Sequence, residues 1–168
     1  MRIVGIDPGY AIVGYGCIEY NNNSFRPLDF GAVLTEAGTP FHERLLAIDS
    51  EITEFLLRTK PQAVAVERLY FTSNQKTAID VAQARGVILL SAAKLGIPIF
   101  EYTPLQVKMS VVGYGRAEKK QVMEMTRLIL GLQKVPKPDD TADALAIAIC
   151  HAHSAASQMG KLYTAYGR

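Results

Sequence analysis

Two short apolar runs of this chain end in an acidic residue, and a third run begins with acids. Arg2–Asp7 and Ala63–Glu67 have the length of strands, whereas residues 140–147 open on Asp140 and Asp143. Charged side chains are almost never fully buried unless paired, so an acid at such a boundary is fixed in place and still reaches solvent. Three boundaries of this kind suggest one shared partner, and carboxylate oxygens are the ligands of hard divalent cations.

The first third of the chain predicts three strands joined by short turns. After the first strand at 2–7, residues 12–20 are rich in β-branched and aromatic residues, which favour strands, and residues 25–35 follow a polar turn. The Asp-Pro-Gly sequence at 7–9 is typical of a turn, since Pro fixes φ and Gly permits positive φ. Connections this short favour antiparallel pairing.

The remaining two thirds alternate helices and strands. Thr39 as N-cap and Pro40 at the first helical position predict a helix start, and apolar residues then recur with helical period until Pro61. Residues 63–66 lack polar alternation, as in a strand buried on both faces. Further predicted elements are a loop at 68–76, a helix at 77–95, a strand at 97–102, and helices at 104–113, 117–130 and 140–154.

Helices that link strands in alternation imply parallel pairing in the second half of the sheet. We therefore predict an α/β fold with a five-stranded mixed sheet, three antiparallel strands followed by two parallel ones, flanked by helices. Strand 1 then lies beside strand 4, and Asp7 and Glu67 leave the sheet at the same end. Adjacent strands lie ~4.8 Å apart, so these two carboxylates repel each other and need a cation between them.

Length and composition fit one soluble domain. The 168 residues suffice for a single core, which we place at 1–154, with a C-terminal tail at 155–168 that is expected to be disordered. No apolar stretch reaches the ~20 residues that span a bilayer, and the N-terminus enters a strand at once, so we expect a cytoplasmic protein. Cys17 and Cys150 form no C-x-x-C pair and are expected to be free thiols.

The net charge of +2 is small, but the charges are unevenly distributed. Residues 1–60 carry five Lys or Arg and eight Asp or Glu, whereas residues 68–138 carry eleven Lys or Arg and four Asp or Glu. A basic half with embedded carboxylates suits a polyanionic substrate. A solvated basic face would give the same pattern, and charge alone does not separate the two interpretations.

The acids near residue 140 also have two interpretations. Asp140 and Asp143 share one helix face at i and i+3, as a metal site requires, but acids at a helix start also cap free N–H groups and complement the dipole. Asp139 and Asp143 are co-facial as well, so we expect one of the neighbours Asp139 and Asp140 to cap the helix and the other to point into a site. His151 shares this face but lies ~16 Å along the axis, and we expect a structural role for it.

Eight short motifs follow one another along residues 1–153: Gly-Ile-Asp-Pro-Gly at 5–9, Gly-Tyr-Gly at 14–16, Val-Glu at 66–67, Gln-Ala-Arg-Gly-Val at 83–87, Gln-Val-Lys at 106–108, Val-Val-Gly at 111–113, Ala-Glu-Lys at 117–119 and Asp-Ala-Leu-Ala-Ile-Ala at 143–148. In order and spacing this set resembles the RuvC family of bacterial Holliday-junction resolvases. The resemblance implies a ribonuclease-H-like fold, a homodimer, paired symmetric nicks across a four-way DNA junction, and cooperation with the RuvA–RuvB branch-migration machinery. The Ala- and Leu-rich helix at 77–95 is compatible with a dimer interface, although a buried helix would have the same composition.

By that resemblance, Asp7, Glu67, Asp140 and Asp143 are the catalytic metal ligands, with Asp139 left open as a substitute for Asp140. Oxygen ligands imply Mg²⁺, two ions per subunit, with Mn²⁺ as a replacement and zinc disfavoured. Two ions ~4 Å apart can activate a water and stabilise the leaving 3′ oxygen in an in-line displacement. The expected products carry 5′-phosphate and 3′-hydroxyl ends.

The resemblance also implies a DNA-binding set around these acids. Lys108 and Lys119 match lysines close to the scissile phosphate, and Lys119 is expected to be catalytic as well as DNA-binding. A lysine at a helix start opposes the helix dipole, so a phosphate explains Lys119 better than stability does. Tyr70 matches an aromatic residue that stacks on bases near the crossover. By their position in the chain, Asn74 and Lys76 are candidates for contacts with bases or phosphates, and Arg85, Arg116 and Lys120 are candidates for contacts with the junction arms. For each of these last three, a solvated surface charge is an equally good interpretation.

Three other functions remain open at this point. An RNase H that cuts RNA–DNA hybrids would share the fold. A strand followed by Asp-x-Gly also occurs in actin-like ATPases, although 168 residues cannot supply their second domain. A junction-binding module without catalysis is disfavoured, because carboxylates that face DNA without a metal would repel phosphates.

Overall fold

Helices cover both faces of one five-stranded sheet. The computed structural model describes residues 1–69 and 75–156. The strands are β1 (Arg2–Asp7), β2 (Ile12–Asn21), β3 (Ser24–Leu34), β4 (Ala63–Glu67) and β5 (Ile99–Tyr102). The helices are α1 (Phe41–Thr59), α2 (Gln75–Lys94), α3 (Pro104–Val112), α4 (Lys119–Ile129) and α5 (Asp139–Ala156). None of these described helices is long and apolar enough to cross a membrane.

The strands follow the order β3-β2-β1-β4-β5 across the sheet. β1 pairs antiparallel with β2, and β2 with β3, whereas β4 runs parallel to β1 and β5 runs parallel to β4. Short turns allow the antiparallel hairpins, while α1 and α2 form the crossovers that parallel pairing requires. The predicted mixed sheet, with strand 1 beside strand 4, is confirmed.

Alternation along the strands divides the core into two clusters, one on each face of the sheet. Ile3 of β1 and Ala65 of β4 pack on the side of α5, together with residues of α3 and α4. Val4 packs on the opposite side with residues of α1 and α2. Because side chains alternate between the faces of a strand, Asp7 and Glu67 fall on the α5 face at the ends of their strands.

The backbone of helix α5 lies in direct contact with the backbones of β1 and β2. A Cβ atom at Gly5 would lie 2.0 Å from the Ala144 carbonyl oxygen, and one at Gly14 would lie 1.9 Å from the Asp140 carbonyl oxygen. A side chain at either position would push the helix away, because the atoms it meets belong to the backbone. Glycine inside a strand marks such close approaches, and here it sets the height of α5 above the sheet.

Four helix starts differ from the predicted boundaries. Helix α2 begins at Gln75 rather than at residue 77, so residues 75 and 76 belong to the helix rather than to the predicted loop at 68–76, and α5 begins at Asp139 rather than at residue 140. The starts of α1 and α4 have identifiable causes. Thr39 does not cap α1, because Pro40 is the N-cap residue and contributes no side-chain hydrogen bond, so the prediction for Thr39 is wrong. Helix α4 begins at Lys119 rather than at residue 117, because Glu118 caps it through a capping box.

The C-terminal helix α5 is longer than predicted. It continues to Ala156, so residues 155 and 156 belong to the helix rather than to the tail, and residues 157–168 lie outside the described part of the chain. Cys150 on this helix and Cys17 on β2 are buried and free. The prediction of two free thiols is therefore confirmed.

His151 on α5 is a buried structural residue, as predicted. Its Nδ1 atom is hydrogen-bonded to the Tyr102 hydroxyl at 2.8 Å, and its ring packs against Phe100 with ring centroids 4.4 Å apart. Burial lowers the pKa of His151 to about 4, so the ring is neutral at pH 7. These contacts join α5 to β5.

Lowering the pH should destabilise the protein through His151. The unfolded chain binds a proton near pH 6.5 whereas the folded chain resists it until about pH 4, so this stabilisation is complete above pH 6.5 and is lost as the pH falls. Over that interval the free energy of unfolding should fall by about 3 kcal/mol more in the native protein than in His151→Gln. Urea unfolding at each pH measures the difference. His42→Gln, at an exposed position, is the control variant and should keep the native pH dependence. Identical pH dependence in the native protein and in His151→Gln would contradict the role given to His151.

Candidate active site

Asp7 and Glu67 end neighbouring parallel strands on the same face of the sheet. β1 and β4 are in register at Ile6 and Val66, so the next residue of each strand is an acid. Both side chains are partly buried. The sheet therefore brings the two carboxylates to one end, as predicted.

The first turn of α5 brings further acids to this end of the sheet. Gly14 lies opposite Asp7 in the register of β1 and β2, and the main chain of Asp140 closes onto Gly14. The Thr141 hydroxyl donates a hydrogen bond to the Gly31 carbonyl oxygen on β3, 3.0 Å away. The start of α5 is thus fixed against β2 and β3 beside Asp7.

Burial and like charges disfavour ionisation of Asp7. Burial raises its pKa well above the ordinary value, and the charges of Glu67, Asp143 and Asp140 raise it further, while the charge of Lys119 lowers it. The pKa of Glu67 is also raised, first by burial and then by the charge of Asp143. Carboxylates that shift one another's pKa in this way lie close together. A cation among them would replace repulsion by attraction.

Lys119, the first residue of α4, supplies a positive charge to these acids. Its Nζ atom lies 2.8 Å from Asp143 Oδ2. Burial raises the pKa of Asp143, and the hydrogen bond and charge of Lys119 lower it without outweighing burial. Partial burial acts to lower the pKa of the Lys119 ammonium, but the hydrogen bond to Asp143 and the nearby acids outweigh it and raise the pKa.

Asp139 and Asp140 differ in their partners. The Asp139 side chain is 42% exposed, and its Oδ1 atom lies 2.5 Å from Lys137 Nζ. The hydrogen bond from Lys137 lowers the pKa of Asp139. Asp140 instead raises the pKa of Asp7. The charges of both residues act on Asp143 and Lys119, but Asp140 is the one of the two whose charge acts on Asp7.

A cavity of about 260 Å³ is lined by Glu67, Asp143 and residues of helices α3 and α4. Its lining includes Lys108, which the sequence placed near the acids only by family resemblance. Apolar walls around charged groups lower the local dielectric constant and strengthen their interactions. Six of the lining residues are Glu67, Asp143, Lys108, Lys119, Val122 and Ile147.

The other residues predicted to contact DNA fall into three groups. Arg116 and Lys120 are exposed on either side of the start of α4. The side chain of Arg85 is only 17% exposed, and it contacts Glu101 and the main chain of Glu67. Outside the described residues lie Tyr70, Asn74 and the side chain of Lys76.

The four acids suit a hard divalent cation by the chemistry of their donor atoms. Within the described ranges, no three His, Cys, Asp or Glu side chains already stand close enough together to hold one ion, and Asp143 is hydrogen-bonded to Lys119. All four donors are carboxylates, which suit Mg²⁺ or Mn²⁺. An adjacent cation would lower the raised pKa of Asp7.

Two features that support the site were not predicted. Glu101 on β5 is paired with Arg85 and Arg68, and nothing in the local sequence distinguishes it from a solvated charge. The contact of α5 with Gly14 could have been predicted, because glycine inside a strand-like run indicates a bulge or a close backbone approach.

Comparison with known sequences identifies similar proteins over most of the chain. The family model described as crossover junction endodeoxyribonuclease RuvC matches residues 3–151. A relative of that description from Desulfitobacterium hafniense is 59% identical over 154 residues, 92% of this chain and 93% of the relative. A relative from Ruminiclostridium cellulolyticum is 54% identical over 162 residues, 96% of each chain.

Solved structures show the same architecture. The Thermus thermophilus RuvC structure is 39% identical, with a TM-score of 0.86 over 93% of this chain and 96% of that one. T. thermophilus RuvC in complex with Holliday junction substrate is 36% identical, with a TM-score of 0.87 over 95% and 98% of the two chains. The yeast mitochondrial Holliday junction resolvase Ydc2, 16% identical with a TM-score of 0.68 over 96% and 81%, shares the fold. The predicted ribonuclease-H-like fold is confirmed.

Proposed function

Because this chain belongs to the crossover junction endodeoxyribonuclease RuvC family, we propose that it resolves four-way DNA junctions by cutting two symmetric strands. The family is one of metal-dependent nucleases, hydrolases that act on ester bonds. One observation carries the proposal beyond the family match. The charges of Glu67, Asp140 and Asp143 all act on Asp7, and Lys119 Nζ lies 2.8 Å from Asp143, which is the charge pattern that a phosphodiester and its metal require.

The four acids are the proposed ligands of two Mg²⁺ ions per subunit, with Mn²⁺ as a substitute. When bound, such ions supply an activated water and stabilise the leaving 3′ oxygen. Lys119 and Lys108 place two ammonium groups in the cavity beside the acids, where they attract phosphate oxygens. Val122 and Ile147 in the cavity wall exclude water and strengthen that attraction. Hydrolysis in this arrangement leaves 5′-phosphate and 3′-hydroxyl ends.

Basic residues around the cavity are proposed to hold the DNA. Arg116 and Lys120 are exposed near Lys119 and are placed to contact backbone phosphates. Each phosphate contact lowers affinity at higher salt, because binding releases counterions. The same role is proposed for Lys76, while Tyr70 and Asn74 are proposed to meet bases near the crossover.

Separate substitutions of Asp139 and Asp140 test the choice of fourth ligand. Asp140→Asn should reduce junction cleavage at least about a hundredfold, because it removes an acid that acts on Asp7. Asp139→Asn should cleave at nearly the native rate, because Asp139 pairs with Lys137. Single-turnover cleavage of a labelled junction by each variant gives the comparison, and the reverse ranking would assign the ligand to Asp139.

Helix α2 supports the proposal of a homodimer. Its exposed positions 79, 83, 86 and 90 form one stripe at +4, +3 and +4 along the helix. Ile79 and Leu90 on this stripe are 63% and 53% exposed, and a Cβ at Gly86 would have no neighbour within 4 Å. A two-fold axis at this stripe would pair two copies and supply two active sites for two symmetric strands.

The double variant Ile79→Lys/Leu90→Lys should convert the dimer to a monomer. Two charges on each copy at an apolar interface remove hydrophobic burial and add repulsion. Sedimentation velocity should show the change in mass, and paired nicking of both strands should become independent nicking. Leu128→Lys on α4, at a position 55% exposed, is the matched control and should remain dimeric. A dimeric double variant would place the interface elsewhere.

Two further assignments belong to this proposal. Cooperation with the RuvA–RuvB branch-migration complex would bring the enzyme to mobile junctions. A cytoplasmic location also belongs to this proposal. We place the nuclease domain at residues 1–154, extended to 156 by the observed end of α5.

A cleavage assay on a mobile four-way junction, with Mg²⁺ and with EDTA, tests the function. Each strand is labelled in turn, so that symmetric nicks appear at the same position on two opposing strands. DNA ligase should reseal the products, because they carry 5′-phosphate and 3′-hydroxyl ends. An RNA–DNA hybrid duplex is the comparison substrate. Cleavage of the hybrid alone would indicate an RNase H, and junction binding without cleavage would indicate a binding module.

A further inference from the structure

Arg85 of α2 points into the protein rather than into solvent. Its side chain is 17% exposed, whereas Arg68 nearby is 55% exposed. The Arg85 guanidinium donates through Nη2 to the Glu101 carboxylate on β5. It also donates through Nε to the main-chain carbonyl oxygen of Glu67, 3.4 Å away. The guanidinium therefore connects α2, β5 and the last residue of β4.

The two donors lie on one edge of the guanidinium group. Nε and Nη2 of arginine have a fixed planar arrangement, so a guanidinium held by Glu101 presents its second donor in a defined direction. That donor meets the carbonyl of Glu67, the residue whose side chain is one of the four acids. The planes of peptide units are rigid, so fixing the carbonyl restricts the rotation of the main chain that carries this side chain.

Glu101 stabilises the same strand end from the neighbouring strand. Its Oε2 atom lies 3.5 Å from Arg68 Nε, and the Arg68 amide donates to the Tyr102 carbonyl oxygen at 2.8 Å. Glu67 and Tyr102 are paired in the register of β4 and β5. The residue that follows Glu67 is thus held both by its main chain and by its side chain.

We propose that Arg85 is a positioning residue for DNA cleavage, which orients the Glu67 carboxylate through the main chain, and that Glu101 in turn orients Arg85. The inference rests on the proposed nuclease function and replaces the expected contact between Arg85 and a junction arm. A residue that orients a metal ligand affects the rate of the chemical step, and changes in such supporting residues typically cost about 10- to 100-fold. A phosphate contact affects binding and its salt dependence instead.

The test compares four variants and one control variant of the full-length protein on the same four-way junction. Arg85→Met removes both donors, Arg85→Lys keeps the charge without the planar pair of donors, and Glu101→Gln removes the charge that holds the guanidinium. Lys108→Met is the variant for a proposed phosphate contact. For each protein, the single-turnover cleavage rate at saturating enzyme is measured with Mg²⁺, and junction Kd is measured in EDTA at several salt concentrations.

Arg85→Met should lose about 10- to 100-fold in rate, with native Kd and a native dependence of Kd on salt. Arg85→Lys should not restore the rate, and Glu101→Gln should reduce it in the same direction. Lys108→Met should instead bind more weakly, with a salt slope smaller by about 0.9. Thermal unfolding checks the fold, and Arg58→Met, which breaks the exposed pair with Asp29, is the control for loss of an ion pair.

Three outcomes would overturn the inference: a native rate in Arg85→Met, a full rate in Arg85→Lys, or a weaker Kd with a reduced salt slope in Arg85→Met. If Arg85→Met fails to fold, the test rests on Arg85→Lys and Glu101→Gln, because these side chains retain most of the native packing. Failure of the proposed function itself is distinguishable, because the native protein would then not cut the junction at all.

Discussion

Replacing Asp7 with Asn should abolish DNA cleavage and leave junction binding at native strength or above. Asparagine has nearly the same shape but lacks the negative charge with which a carboxylate holds a divalent cation. The charges of Glu67, Asp143 and Asp140 all raise the pKa of Asp7, so replacing Asp7 removes the acid that interacts with the other three. We expect kcat to fall at least about a thousandfold, since a metal site contributes several kcal/mol to the transition state.

The same substitution should stabilise the protein. Burial and three like charges make the ionised form of Asp7 unfavourable in the folded chain, and a neutral amide removes that repulsion. Loss of activity together with a higher Tm is the pattern expected where a site is kept for function at a cost in stability. A thermal melt of both proteins at neutral pH, without added metal, measures this effect.

Asp29→Asn is the matched control for Asp7→Asn. Asp29 lies on the surface of β3 and pairs with Arg58 at 2.8 Å, so its neutralisation should leave cleavage unchanged. Glu67→Gln and Asp143→Asn should resemble Asp7→Asn in cleavage and binding. Cleavage at the native rate by Asp7→Asn would remove this residue from the ligand set.

Replacing Gly14 with Ala should cost both stability and activity. The new Cβ atom would lie 1.9 Å from the Asp140 carbonyl oxygen and 2.2 Å from its carbonyl carbon, and no side-chain rotation relieves a clash with backbone. Helix α5 must move away from β2, which opens the core and shifts the acids relative to Asp7. We expect a loss of about 3 kcal/mol, a fall in Tm of about 6–12 °C, and a large loss of cleavage rate.

Gly115→Ala is the matched control for Gly14→Ala. A Cβ at Gly115 would also meet a close neighbour, at 2.2 Å, but that atom is the end of the Leu105 side chain. Leu105 is 59% exposed and can adopt another rotamer, so the Tm should change little. Equal effects of the two substitutions would show that the contact of α5 with β2 is not rigid.

The sheet could be predicted because its signals are local and regular. The order of strands and helices determined the parallel and antiparallel pairs, and the parallel pairing of β1 with β4 placed Asp7 and Glu67 at one end of the sheet. The four acids could be found as a set because each stands at the boundary of an apolar run. Family resemblance, rather than any pattern of spacing, joined Lys108 and Lys119 to them.

Arg85 and Thr39 show what the sequence could not provide. The charge of Arg85 predicts a polar partner but not which one, since Glu101 approaches it from a strand 16 residues away. Thr39 has the right residue type for a cap, yet the backbone enters α1 through Pro40. Both outcomes depend on how separate segments pack together, and neither is encoded in a short window of sequence.

The pair between Lys119 and Asp143 has a consequence for how ligands enter the site. Lys119 stands at the first position of α4, where the helix dipole disfavours a positive charge, and Asp143 compensates for it at 2.8 Å. A cation that binds Asp143 frees the ammonium for a phosphate, and a phosphate that binds the ammonium frees Asp143 for a cation. The affinities for ion and DNA are then thermodynamically linked, each raising the other by the same factor. We expect the site to bind the metal most tightly when DNA is present. The enzyme then becomes active as it binds its substrate.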